Sequence, residues 1–359
     1  MKVAFITRST LYKVPGGDTE QIVQTAKCLA EIGTKADIRL TDEQINYRNY
    51  DLLHFFNIIR PSDILYHATK SNKPFVISPN LIDYSEYDKK QRRGISGLIF
   101  QFFSADTNEY LKTLSRWLLN KDVLKSKSYV RMGHKRSIRE ILKKTSLVLP
   151  NSNSEQAFLK RTYDVERPYY VVPNGINTNL FVPNGPLLKD NNLVVCAARI
   201  EGLKNQLNLI RALNNSPFTV LIVGEAAPNQ NKYYKKCREI AAHNIIFSGR
   251  LAQKELVAFY RRAKVHVLPS WFETCGLSTL EAAAMGCNVV ITDKGYTREY
   301  FGDDAFYCDP SDPASILNAV KQASKSDCHK ELQKKILNNY TWQRAAAVTL
   351  KAYKKIIAD

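Results

Sequence analysis

Trp271-Phe272-Glu273-Thr274-Cys275-Gly276-Leu277-Ser278-Thr279-Leu280-Glu281-Ala282-Ala283-Ala284-Met285-Gly286 sets two carboxylates, with seven residues between them, around a glycine turn. The run ahead of it, Ala263-Lys264-Val265-His266-Val267-Leu268-Pro269-Ser270, has the alternating β-branched look of a buried parallel strand, and Leu280 to Met285 is strong helix former. Gly276 therefore falls where a strand hands over to a helix. Free backbone N–H groups and the positive end of the helix dipole gather at such a point, which suits phosphate or the hydroxyls of a polar ligand. Glu281, one turn into the helix, is expected to face that ligand as a hydrogen-bond acceptor, with Glu273 just outside the helix mouth.

Working outward, the same alternation fills the chain. In the first half strands are expected at 2–7, 36–40, 51–56, 74–79 and 146–150, with helices at 18–32 and 155–162. Residues 85–145 interrupt this rhythm with long basic helices. In the second half strands at 193–198, 218–223, 245–248 and 288–292 alternate with helices at 205–213, 233–242 and 254–262, and a last pair of helices follows. The segment Tyr169 to Asn177 ends one domain and begins a linker, with Phe181 as an apolar anchor. Alternation with short connections is the pattern of a parallel sheet covered on both faces. A length of 359 residues fits two such domains better than one core. Two Rossmann-like halves are expected to hold a ligand at the carboxyl ends of their strands, in the cleft between domains.

Composition narrows the classes. Apolar residues make up 44% of the chain, enough for a full core, and no apolar run approaches the ~18 residues that span a bilayer. The start Met1-Lys2-Val3-Ala4-Phe5-Ile6-Thr7 reads as a strand and not as a signal peptide. Seven scattered cysteines without a Cys-x-x-Cys pair point to reduced thiols in a cytoplasmic protein, with no structural metal expected. The net charge is +18, and residues 89–144 hold fifteen Lys and Arg against four Asp and Glu, a net +11. No nucleic-acid motif accompanies this charge. Ile95-Ser96-Gly97-Leu98-Ile99-Phe100-Gln101-Phe102-Phe103, flanked by Lys89, Lys90, Arg92 and Arg93, fits an anionic membrane surface instead.

Other residues carry chemistry by type and position. Gly16-Gly17, between the first strand and the first helix, lets backbone approach a ligand closely, as it also makes an ordinary turn. A full Gly-x-Gly-x-x-Gly is missing, so the nicotinamide dinucleotide fingerprint is absent. Arg199 and Lys204 flank the loop after the first strand of the second half. Two cations at the end of a buried strand are costly unless they meet anions, whereas a solvated surface pair is common.

Taken together, these motifs resemble the retaining nucleotide-sugar glycosyltransferases of the GT4 family, and the likeness runs over nearly the whole chain. The resemblance implies the GT-B fold, an α/β arrangement of two Rossmann-like parallel-sheet domains. It assigns 1–174 to an acceptor-binding domain, with the basic insert 85–145 and the terminal helix 342–359 completing it, and 175–341 to a donor-binding domain. Arg199 and Lys204 would hold the leaving nucleoside diphosphate, the first as a planar fork and the second as a point charge. Glu281 would bind the ribose and Glu273 would lie near the donor sugar. Gly16 and Gly17 would face the diphosphate, amides of Cys275, Gly276 and Leu277 the sugar or phosphate, and Gly224 with Gly249, Arg250 and Leu251 the base. Glu20 matches the acid that follows the Gly-Gly.

One departure stands out. Where the family commonly has a His-Gly that contacts the donor sugar, this chain has Ser78-Pro79-Asn80, leaving Asn80 as the substitute. His134, in the basic insert, is a candidate for a phosphate contact, while His54 reads as a satisfied strand-end residue. The implied reaction is a front-face transfer in which a donor phosphate oxygen helps remove the acceptor proton, so neither a protein nucleophile nor a cofactor or metal is needed; no Asp-x-Asp motif is present. The expected partners are a nucleotide sugar, UDP-linked by preference, a lipid-linked or glycan acceptor, and an anionic membrane at its cytoplasmic face, with no nucleic acid. Rival readings are a glycoside hydrolase, a nucleotide-sugar epimerase, or a basic protein that binds membrane or nucleic acid without catalysis. Carboxylates eight positions apart on one continuous helix would lie ~12 Å apart, beyond the roughly 5–9.5 Å of hydrolysis, although a turn at Gly276 shortens the span.

Overall fold

The computed structural model describes every residue except 92–104, 119–123, 184, 186, 187 and 359. The chain divides into two compact units, Met1–Asn174 with Trp342–Asp359, and Gly175–Thr341.

In the first unit, strands β1 (Lys2–Thr7), β2 (Lys35–Leu40), β3 (Leu52–Phe56), β4 (Phe75–Ser78) and β5 (Leu147–Val148) form one sheet in the order β2-β1-β3-β4-β5. Every pairing in it is parallel. All five residues of β3 are buried, as a parallel strand covered on both faces requires. Parallel neighbours need crossovers, and helices supply them. The helix Gly17–Glu31 buries Gln21, Ile22, Thr25, Ala26, Cys28 and Leu29, a stripe at helical spacing. The helix Pro61–Ser71 joins β3 to β4 and was not expected from the sequence. Proline in its first turn and buried Ile64, Leu65 and His67 define it, and Asn72, left-handed at φ 49°, ends it.

The basic insert contains helices Ser85–Gln91, Ala105–Leu118 and Lys127–Lys144, the last bent at Gly133, whose φ is 76°. It is not merely a charged appendage, because Tyr129, Ile138, Ile141 and Leu142 join the core of the first unit. The apolar stretch 95–103 with Arg92 and Arg93 lies outside the described residues, and so do the side chains of Lys89 and Lys90. The terminal helix Trp342–Ala358 buries Trp342, Ala345, Ala346, Thr349, Ala352 and Tyr353, and this stripe of mostly small residues lies along the helix Gly17–Glu31. Tyr353 then reaches the middle of β3, where its hydroxyl lies 2.6 Å from His54 Nδ1.

In the second unit, β6 (Asp190–Ala197), β7 (Thr219–Val223), β8 (Ile245–Gly249), β9 (Ala263–Leu268), β10 (Asn288–Thr292) and β11 (Phe306–Cys308) form a parallel sheet ordered β11-β10-β9-β6-β7-β8. The short strand β11 and the helix Thr297–Phe301 before it are further elements that the sequence pattern did not announce. Strand order reverses between β6 and β9 here, and between β1 and β3 in the first unit. Such switch points are where open α/β sheets bind ligands, because adjacent loops diverge there.

Candidate functional site

In the second unit both loops of the switch point carry the residues singled out by sequence. The loop after β6 holds Arg199 to Lys204, and the loop after β9 holds Ser270 to Gly276. They meet in an ion pair, Lys204 Nζ to Glu273 Oε1 at 2.5 Å, with side chains 21% and 6% exposed. Ser270 Oγ donates to the same oxygen at 2.6 Å. Glu273 is thus less a free carboxylate than the counter-charge that fixes a lysine at the sheet edge. Arg199 stays 44% exposed, bonded to Glu201 at 3.2 Å.

The loop after β6 is stapled from below. Buried Gln206 donates to Arg199 O at 2.9 Å and accepts from Glu201 N at 3.3 Å. Asn205, left-handed at φ 62°, donates to Pro269 O at 3.0 Å and Pro310 O at 2.7 Å. On the other side, Gly295 passes over the backbone of Glu273 so closely that a Cβ would sit 2.0 Å from Glu273 O. Gly276 adopts φ 67° and opens the helix Leu277–Ala284, which aims the first amides of that helix outward from the turn.

Glu281 lies one turn into this helix, half-buried, and accepts from Gln253 Nε2 at 3.4 Å. Gln253 opens the helix that follows Gly249, Arg250 and Leu251, so it brings that loop toward Glu281. Gly224 joins the same edge, its N–H donating to Gly249 O at 2.9 Å. Arg250 is exposed, whereas Cys275 is buried and can offer only its backbone.

The first unit builds its own edge around Gly16 and Gly17. Arg8, at the end of β1, donates through Nε and Nη2 to both oxygens of Asp18 at 2.7 and 3.0 Å, and to the carbonyls of Thr10 and Val14 at 2.9 and 2.8 Å. Thr19 Oγ1 receives Gly16 N at 3.0 Å. Asn80, at φ 48°, donates to Gln21 at 2.8 Å and so sits beside the helix that Gly17 opens. Glu20 accepts from Gln24 of its own helix at 2.9 Å.

With this geometry in place, comparison with known proteins gives one consistent answer. Residues 181–341 match the family model described as glycosyl transferases group 1. This match lies within the second unit, which resembles the family. Among curated relatives, the MMP alpha-(1->4)-mannosyltransferase of Mycolicibacterium hassiacum is 27% identical over 202 residues, 53% of this chain and 49% of that protein. The D-inositol 3-phosphate glycosyltransferase of Acidothermus cellulolyticus is 27% identical over 216 residues, 53% of this chain and 48% of that protein. The chain thus spans about half the length of the curated relatives it matches. Among solved structures, sucrose-phosphate synthase of Thermosynechococcus elongatus superposes with a TM-score of 0.76 at 17% identity, covering 100% of this chain and 99% of that one. Anabaena Alr3699/HepE, solved with UDP and glucose, gives 0.64 at 16% identity with full coverage of both chains. These likenesses establish the GT-B fold.

The two histidines weighed from the sequence are both enclosed in the first unit. His134 is 3% exposed, hydrogen-bonded to Tyr129 at 3.2 Å, and burial lowers its pKa. That corrects the expectation of a phosphate contact, since a neutral, enclosed imidazole offers an anion no positive charge. His54 is satisfied as expected, between Tyr353 and Ser78 Oγ at 2.9 Å, but sits mid-strand, and burial lowers its pKa to about 3. Sequence reasoning missed Arg8, Gln206, Gln253, Gly295 and Glu155. Glu155 is fully buried and takes Leu81 N and Asn151 N on its two oxygens, each at 2.7 Å, which holds the Asn80 loop. Its signal was legible as the capping-box spacing Ser152-x-x-Glu155. Gln253 and Gly295 meet residues of other loops, Glu281 and Glu273, whereas Arg8 and Gln206 close their own loops at spacings that match no capping or turn motif.

Proposed function

We propose that this protein transfers a sugar from a nucleotide sugar to an acceptor hydroxyl with retention of anomeric configuration. The observation that carries the reading is the Lys204–Glu273 pair beside exposed Arg199, set across the β6/β9 switch point. Arg199 and Lys204 would meet the charge that grows on the departing diphosphate, a term worth most where the donors are already oriented. Glu273 and Ser270 hold Lys204 in place, and Glu281 accepts from a ribose hydroxyl. Amides of Leu277 and its neighbours bind the sugar or phosphate, and Asn80 of the first unit takes the place of the family's histidine.

UDP is the favoured nucleotide, supported by the UDP and UDP-glucose complexes of Anabaena Alr3699/HepE. The acceptor in this reading is a lipid-linked or polysaccharide precursor at the cytoplasmic face of a membrane. Among the described residues, no helix is long and apolar enough to cross a membrane. The insert nevertheless exposes Trp117, Leu111 and Val130 on helices that also expose Lys127, Arg131 and Lys135, the combination a peripheral surface contact uses.

The test is calorimetry with UDP, GDP, ADP, CMP and NAD on the wild type and on Glu281→Ala and Lys204→Ala, with sedimentation on phosphatidylglycerol vesicles in parallel. Selective UDP binding that weakens in both variants, with vesicle attachment unchanged, is expected. Indifference to all five nucleotides overturns the transferase reading; equal sedimentation with neutral phosphatidylcholine vesicles overturns the anionic-surface reading.

A further inference from the structure

At the edge of the second sheet opposite these loops, Lys264 and Cys328 face each other. Lys264 is the second residue of β9, and Cys328 lies in the connection between helices Pro313–Lys325 and Lys330–Asn339. Lys264 is 8% exposed, and its one hydrogen bond among the described residues runs from Nζ to Cys328 Sγ at 3.7 Å. A largely enclosed lysine head whose side-chain partner is a sulfur, with no oxygen acceptor beside it among the described residues, is set apart from one bonded to oxygens. A neighbouring pair supplies the contrast. Lys189 Nζ lies 3.6 Å from Cys287 Sγ but also donates to Tyr260 O at 2.7 Å and Met285 O at 2.8 Å, which makes it a satisfied structural contact.

Two further facts single out the Lys264 pair. Of the seven free cysteines only Cys328 is partly exposed, so a small oxidant can reach it. The approach is also fixed by backbone. Buried Asn288, opposite Val265 in the β9–β10 register, donates to Ala323 O at 2.7 Å and Ser326 O at 3.1 Å and accepts from His329 N at 3.2 Å. Both flanks of Cys328 are therefore tied to a side chain one register step from Lys264.

We propose that Cys328 and Lys264 form a reversible sulfur–nitrogen link driven by peroxide. Hydrogen peroxide oxidises the Cys328 thiol to a sulfenic acid, its O–O bond breaking as one oxygen joins sulfur and the other leaves as water. Sulfenic acids condense with nearby nitrogen. The Lys264 amine, its ammonium proton given to water, attacks the sulfur; the S–N bond forms as the S–O bond breaks, and the departing hydroxide takes an amine proton and leaves as water. The pair loses two hydrogens and the peroxide becomes two waters. A thiol reductant supplies two electrons and two protons and restores both side chains.

The test treats the full chain with hydrogen peroxide and then dimedone, which traps sulfenic acid, before peptide mapping by mass spectrometry without reductant. The expected result is a joined pair of peptides carrying Lys264 and Cys328, lighter by two hydrogens and separated by dithiothreitol. Lys264→Met should abolish the joined species and raise dimedone capture at Cys328 several-fold, and Lys264→Arg, which keeps the positive charge, should do the same if the methionine variant folds poorly. Equal dimedone capture in wild type and variants without a joined peptide, or no reaction at Cys328, overturns the proposal.

Discussion

The two units share a parallel sheet with one switch point, yet they use the cation at the end of their first strand in opposite ways. In the first unit Arg8 is consumed: its nitrogens are spent on Asp18 and on the carbonyls of Thr10 and Val14, inside the loop that carries Gly16 and Gly17. In the second unit Arg199 remains 44% exposed, and Lys204 keeps a single ion pair with Glu273. A half-buried, fully bonded guanidinium holds a loop in shape, whereas an oriented but incompletely neutralised cation is available to an incoming anion. Arg8 thus folds its loop, while in the transferase reading Arg199 and Lys204 would recognise an anion.

The largest effect that could break this contrast is expected at Lys204. In the transferase reading Lys204→Ala should lower kcat/KM by about 10²–10³-fold, the scale for removing one oriented transition-state donor. Its unfolding midpoint should fall as well, because Glu273, with its side chain 6% exposed, keeps the Ser270 hydroxyl but loses its counter-charge. A variant of unchanged kcat/KM would show that the pair is a structural clasp like that of Arg8. Next in size, Arg8→Ala should cost about 1–2 kcal/mol of stability in urea, since it leaves Asp18 and two carbonyls without their donor in a half-buried loop. Calorimetric UDP affinity should stay within a few-fold of wild type. A stable Arg8→Ala protein that has lost UDP would reverse the roles of the two cations.

The smallest effect sharpens the contrast by pH. In the first unit burial lowers His54 to about 3 and His67 to about 4, and it lowers His134 as well, while in the second unit His266 falls to about 3. Each is held neutral when folded and takes up a proton near 6.5 when unfolded. The unfolded state therefore binds more protons, and the stability these groups contribute is complete above about 6.5 and lost as pH falls toward their folded values. The loss is about 1.4 kcal/mol per pH unit for each such histidine. The first unit, with three of the four, should open first between pH 6.5 and 4. Hydrogen exchange by mass spectrometry, corrected for intrinsic rates, reads this directly; earlier opening of 175–341 would count against it.

Much of this was legible in the chain itself. Alternating strand and helix periods announced a doubly wound α/β protein, because burial on both sheet faces leaves near-continuous apolar strands such as β3. The Glu273–Glu281 spacing around Gly276, with Arg199 and Lys204 in their loop, named the candidate residues because glycine, cations and acids at strand ends are costly without a ligand or a partner. The helix Pro61–Ser71 escaped notice because half its residues are polar and its stripe is short. Only the tertiary structure decided which charges are spent and which are kept. That Arg8 closes on Asp18, that Glu273 clamps Lys204, that His134 is sealed against Tyr129 and that Lys264 points at Cys328 all depend on contacts between segments brought together by sheet order. A sequence sets the identity and local period of each group, but the energy of a charge depends on its distance to others and on its burial, and both exist only once the chain has folded.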